Sequence, residues 1–111
     1  MAGAVKWLLL AVFAKNTPPP IGEGLSQSAI EGENQFDERV KQLFPVGSQV
    51  EPMVQALMSQ GFRGPVITDG NGAYLVYQTK TFPVFSRWYV SWHESDGVIT
   101  DVWGVFGHVG P

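Results

Sequence analysis

Seven residues, Arg87-Trp88-Tyr89-Val90-Ser91-Trp92-His93, constrain this chain more than any other stretch. Successive side chains of a strand point to opposite faces, so Trp88, Val90 and Trp92 share one face and Arg87, Tyr89, Ser91 and His93 the other. Asp96-Gly97 follows as a hairpin turn, and Val98 to Phe106 returns as the partner strand. A lone hairpin is marginal in water, so this one requires at least one further strand and a helical cover.

The preceding residues supply both. Phe36, Val40, Leu43 and Phe44 recur at helical spacing from a start near Asn34, with Asp37, Glu38, Arg39 and Lys41 on the remaining surface. Asn34 is a capping residue, and Pro45 and Gly47 end this helix. Ser48-Gln49-Val50-Glu51 has the form of a capping box, which predicts a second helix with Val50, Met53, Val54, Leu57 and Met58 buried and Gly61 as its stop. After Phe62 the period changes to that of strands. A short strand is compatible with Val66 to Thr68, between the turn residues Gly64-Pro65 and Asp69-Gly70-Asn71-Gly72. Ala73 to Thr81 alternates as a full strand, with Tyr74, Val76 and Gln78 opposite Leu75, Tyr77 and Thr79. The last strand has two readings: Val98, Val102 and Phe106 share a face, or a bulge turns Ile99 inward. The expected fold is α+β, two N-terminal helices packed on a three-stranded antiparallel sheet in the order α-α-β-β-β.

With 111 residues there is room for one such domain and a tail. Residues 1–14 form an apolar targeting or anchor segment: Lys6 leads, and Trp7 to Ala14 is an apolar run too short to span a bilayer. The alternative is an element docked on the domain. Residues 15–32, with Thr17-Pro18-Pro19-Pro20 and then Gly, Ser, Gln and Glu, read as a linker with little regular structure. Residues 33–111 make the domain.

A net charge of -3 leaves no basic field and argues against nucleic acid as a partner. The absence of Cys removes disulfides, thiolate catalysis and thiolate metal sites. His93 and His108 lack ligands at metal spacing, and His93, Glu94 and Asp96 are read as a strand end and turn. Ser91 and His93 share a strand face, but a catalytic triad also needs an orienting group and an oxyanion hole, which no motif signals. Gly70-Asn71-Gly72 has no following helix or Lys and is a loop rather than a phosphate cradle. No catalytic residue, cofactor or metal site is therefore expected. If Trp88 and Trp92 pack under the helices, the other sheet face is left bare. Arg87, Tyr89, His93, Tyr74, Tyr77 and Trp103 are then candidates for a protein-binding surface, being of types enriched at such sites.

The words Pro45-Val46-Gly47-Ser48 with the helix to Leu57, then Trp88 to Trp92, Asp96-Gly97 and Val98, resemble the small outer-membrane assembly lipoproteins of the SmpA/OmlA (BamE-like) type. The tail, with Phe82-Pro83 and Gly104-Val105-Phe106-Gly107, also resembles uncharacterised envelope proteins with that core. The resemblance covers about Gln35 to Gly107. It implies a non-catalytic module on the periplasmic side of the envelope, an accessory or assembly subunit of a membrane complex; association with the membrane through residues 1–14 is read from the Lys6-led apolar run. The family's lipid-modified cysteine has no counterpart in the sequence. Beta-lactamase inhibitor proteins share the helix-over-sheet layout, so an inhibitor or immunity-type protein binding a soluble enzyme through the sheet face is the alternative.

Overall fold

In the computed structural model, which describes residues 17–79 and 85–109, two helices precede a four-stranded antiparallel sheet. The expectations for residues 1–14 and for the loop through Phe82 and Pro83 lie outside the described residues. Helices α1 (Ala29–Leu43) and α2 (Val50–Ser59) are followed by β1 (Arg63–Ile67), β2 (Gly72–Gln78), β3 (Phe85–Ser95) and β4 (Val98–Val109). The strands lie in the order β1-β2-β3-β4, each antiparallel to its neighbour.

The α+β class and the helix-before-sheet order agree with expectation, and the strand count does not: four strands form, not three. The additional strand is β1. All of its residues are exposed, and its pairing with β2 shifts register between Arg63 and Val66. Pro65 lacks the N–H a central strand needs, which an edge strand tolerates.

The hairpin forms as expected. Trp88, Val90 and Trp92 are buried, and the β3–β4 turn has positive φ at both Asp96 (51°) and Gly97 (76°), as a two-residue type I′ turn requires. Of the two readings of β4, the bulged one holds. His93 pairs with Asp101 but Glu94 with Ile99, so Thr100 is the extra residue. Ile99 is thereby turned into the core at 1% exposure, while Val98 stands at 37%.

Helix α1 begins at Ala29, five residues before the expected Asn34. Its core stripe is Gly32, Phe36 and Val40 at four-residue spacing, and the first of these has no side chain to signal burial. Leu43, expected in the stripe, is exposed, and so is Met58 in α2. The start of α1 is organised by Ser26, whose Oγ donates to Glu31 Oε2 (3.0 Å) and accepts from Ser28 N–H (3.2 Å). Gly104 on β4 lets α1 come close. A Cβ there would lie 2.8 Å from Phe36 and 2.9 Å from Val40. The Gly104 N–H donates to Asp37 Oδ1 on α1 at 2.9 Å.

The expected capping box at Ser48 does not form; Gln49 holds the capping position with no side-chain hydrogen bond. Strand-like pairing replaces it. Val50 N–H donates to Gly97 O (2.9 Å), Ile99 N–H to Ser48 O (2.8 Å) and Gly47 N–H to Ile99 O (2.8 Å). The start of α2 is thus tied to the β3–β4 turn.

Part of the expected linker is built into the domain. Pro20–Gly22 is a 3-10 turn, and Ile21 joins the core at 4% exposure. Arg39 Nη1 donates to Ile21 O (2.8 Å) and Glu23 O (2.7 Å), and Ile21 N–H donates to Gln60 Oε1 (2.9 Å). This segment crosses the sheet at Trp88: a Cβ on Gly22 would lie 2.6 Å from the indole Nε1.

Candidate protein-binding face

Strand pairing sets the uncovered face in rows, because directly opposed residues of neighbouring strands point the same way. From one end the rows are Gln78, Arg87 and Gly107; then Val76, Tyr89 and Val105; then Tyr74, Ser91 and Trp103; then Gly72, His93 and Asp101. Arg63 extends the second row and Val66 the third across β1. The middle rows are apolar and aromatic, and the charged groups stand at the margins.

The side chains on this face hold one another. Tyr74 and Tyr89 meet edge to face with ring centroids 5.7 Å apart, and His93 lies 5.2 Å from the Trp103 ring. Arg87 Nε donates to Gln78 Oε1 at 2.6 Å. His93 Nδ1 is 3.8 Å from Asp101 Oδ2. Tyr74, Val76, Tyr89 and Trp103 are half-buried, and Val66 and Val105 are exposed at 43% and 37%. Neighbours on the antiparallel surface thus fix the rings without covering them.

No family model, no curated protein and no solved structure matches this chain. The reading of the site therefore rests on the residues themselves.

Five of the six expected binding residues lie on this face: Arg87, Tyr89, His93, Tyr74 and Trp103. The sixth, Tyr77, does not, and the expectation is corrected. Tyr77 pairs with Trp88 in the register and so shares its helix-facing side. It is 6% exposed, with its ring 5.6 Å from Phe62 and 5.7 Å from Trp88. Its hydroxyl donates to Thr17 O at 2.7 Å. Burial pushes the Tyr77 phenol above its ordinary pKa.

Sequence reasoning missed Arg63, Val66, Val105 and Asp101 as members of the face, and it set Val76 beside Tyr74 without naming it a binding residue. The phase of Trp103 carried the signal for Val105 and Asp101, two positions to either side. The β1 residues needed the strand pairing itself.

Two other clusters bear on chemistry. Ser91 and His93 are on one face, yet His93 is engaged with Trp103 and Asp101. Among the described residues a Ser–His hydrogen bond joins Ser86 Oγ and His108 Nδ1, at 2.8 Å across the β3–β4 pair. Ser86 is also tied to Thr79, whose N–H donates to Ser86 O and whose Oγ1 accepts from Ser86 N–H, both at 2.9 Å. A concavity of about 480 Å³ lies where the start of α2 meets the β3–β4 turn, with Glu51, Glu94 and Asp96 in its lining. Glu94 Oε1 accepts the Trp92 Nε1–H at 3.1 Å. No group of three metal-ligating side chains occurs among the described residues.

Proposed function

We propose that this chain is a non-catalytic protein-interaction module of the cell envelope, binding a protein partner with the uncovered face of its sheet. The observation that carries the reading is the aromatic surface of Tyr74, Tyr89 and Trp103. It is half-exposed, braced by ring contacts and flanked by Arg87. Tyr, Trp and Arg are enriched among hot spots in protein interfaces, and the stiff rings of Tyr and Trp bury much surface for little lost freedom. Strands hold these rings more rigidly than loops would, which lowers the ordering cost of binding.

The envelope location is supported by the sequence. Lys6 and the apolar run to Ala14 suit membrane association, and residues 45–57 and 88–98 resemble the SmpA/OmlA type. Among the described residues no helix is long and apolar enough to cross a membrane. On this reading the module serves a membrane complex as an accessory or assembly subunit.

The test is affinity capture from the native source with wild type and a folded Arg87→Ala/Tyr89→Ala double variant. A membrane-complex partner lost from the double variant is the expected result. Capture of a soluble enzyme would favour the inhibitor alternative. Retention of every partner by the folded double variant would refute the assignment to this face.

A further inference from the structure

The sheet is guarded at its edges and open on its face. Pro65 lies in edge strand β1 and offers no N–H. On edge strand β4, Ile99 pairs with residues 47 and 48, Val102 N–H donates to Asp101 Oδ1 and Gly104 N–H to Asp37 Oδ1. Sideways addition of another strand is blocked over that half of β4. Association is directed to the face instead.

We propose that the protein seated on this face is a second copy of the chain, stacked sheet to sheet with opposed strand directions about a two-fold axis. The inference rests on the reading of the face as a protein-binding surface. Two sheets pack about 10 Å apart with strand axes within about 30° of alignment. A two-fold axis running across the strands, between the Tyr89 row and the Ser91 row, keeps each strand over its own counterpart and exchanges the rows.

In the two middle rows each ring comes over a smaller side chain, Tyr89 over Ser91 of the other copy, Trp103 over Val105 and Tyr74 over Val76, while in the outer rows Arg87 comes over His93. The charges agree with this orientation. Arg87 stands at one end of the face and Asp101 at the other, on neighbouring strands. Opposing the strands sets the Arg87 of each copy over the His93 of its mate, with the mate's Asp101 next to that His93 on the neighbouring strand and so diagonal to Arg87, twice by symmetry. The other two-fold choice, with its axis along the strands, would gather both Arg87 side chains at one end and both Asp101 side chains at the other. Charge complementarity selects the opposed arrangement.

The test uses the full-length chain and two charge reversals, Arg87→Glu and Asp101→Arg, with association followed by sedimentation. Each variant alone places like charges together in its homodimer, Glu with Asp or Arg with Arg. An equimolar mixture forms a heterodimer in which both contacts are attractive. We expect each variant to self-associate about tenfold more weakly than wild type, equivalent to about 1.4 kcal/mol, and the mixture to return to within about threefold. Association through the apolar N-terminal run would ignore these charges, and a misfolded variant would not be rescued by mixing.

Three results would overturn the proposal: a wild-type chain monomeric at about 0.1 mM, variants as tight as wild type, or a mixture no tighter than its components. If the wild type is monomeric yet the Arg87→Ala/Tyr89→Ala variant loses a captured partner, the second copy is wrong and the face is right. If that partner is retained as well, both fail.

Discussion

The two faces of the sheet carry similar side chains and have different fates. Trp88, Trp92 and Tyr77 line one side, and Tyr74, Tyr89 and Trp103 the other. The first three are 3%, 1% and 6% exposed, while the second three are half-buried. Residue type does not separate them, and cover does: Phe36, Val40, Met53, Leu57 and Ile21 fill the space above the first set. An aromatic ring on a bare sheet face keeps neighbours within the sheet and lacks the layer above. Its removal therefore alters what the surface can bind more than whether the chain folds.

The sharpest way to break this comparison is to truncate one Trp on each face. Trp92→Ala removes a fully buried indole and the bond its Nε1 donates to Glu94, so it should cost about 3–5 kcal/mol in denaturant melts. Trp103→Ala should cost no more than about 1 kcal/mol, because its ring contact is with a half-exposed His93. Comparable losses for the two would mean that the outer face is also a structural core.

The alternation around Trp88 and Trp92 was legible because burial on one face of a strand imposes a period of two, which no helix shares. The turn was legible because Asp96-Gly97 meets a backbone demand few residues satisfy. Features set by distant partners were not. The first position of the α1 stripe is Gly32, and a hydrophobic period cannot register a residue without a side chain. The start of α2 is held by pairing with residues 97–99, a contact no local capping pattern encodes. Strand β1 has no buried face, and without one its sequence does not alternate. Tyr77 shows how the candidate face was part right. Its alternation against Tyr74 was visible, but only the pairing with Trp88 decides which side faces the helices.

A smaller effect separates two glycines of β4. Gly104 lies on the covered side, where a Cβ would come within 2.8 Å of Phe36, whereas a Cβ on Gly107 would meet nothing within 4 Å. Gly104→Ala should therefore lower stability by about 1–3 kcal/mol through overpacking against α1. Gly107→Ala should stay within about 0.5 kcal/mol of wild type. Thermal melts of the two variants measure the difference, and a harmless Gly104→Ala would show that α1 has room to retreat from β4.

The least effect belongs to the pH response of the covered face. Burial disfavours the Tyr77 phenolate and raises the folded-state pKa above its ordinary value. The sign follows from which state releases the proton first. As pH rises, the unfolded chain ionises this phenol near pH 10, about the value for a free tyrosine, while the folded chain still holds it. The contribution of Tyr77 is thus intact below about pH 10 and lost as pH climbs through the folded pKa. Tyr77→Phe cannot ionise and forgoes the bond to Thr17 O, so at neutral pH it should be less stable by about 0.5–1.5 kcal/mol. Its disadvantage should shrink as the solution is made alkaline, because wild type alone loses the Tyr77 contribution there. Lys41, whose pKa is raised by its hydrogen bond to Asp37, is common to both proteins and cancels in the difference. Melts of the pair from neutral to strongly alkaline pH read that difference directly. Parallel alkaline declines would mean that the phenol reaches solvent, and that the covered face is open at the Tyr77 end.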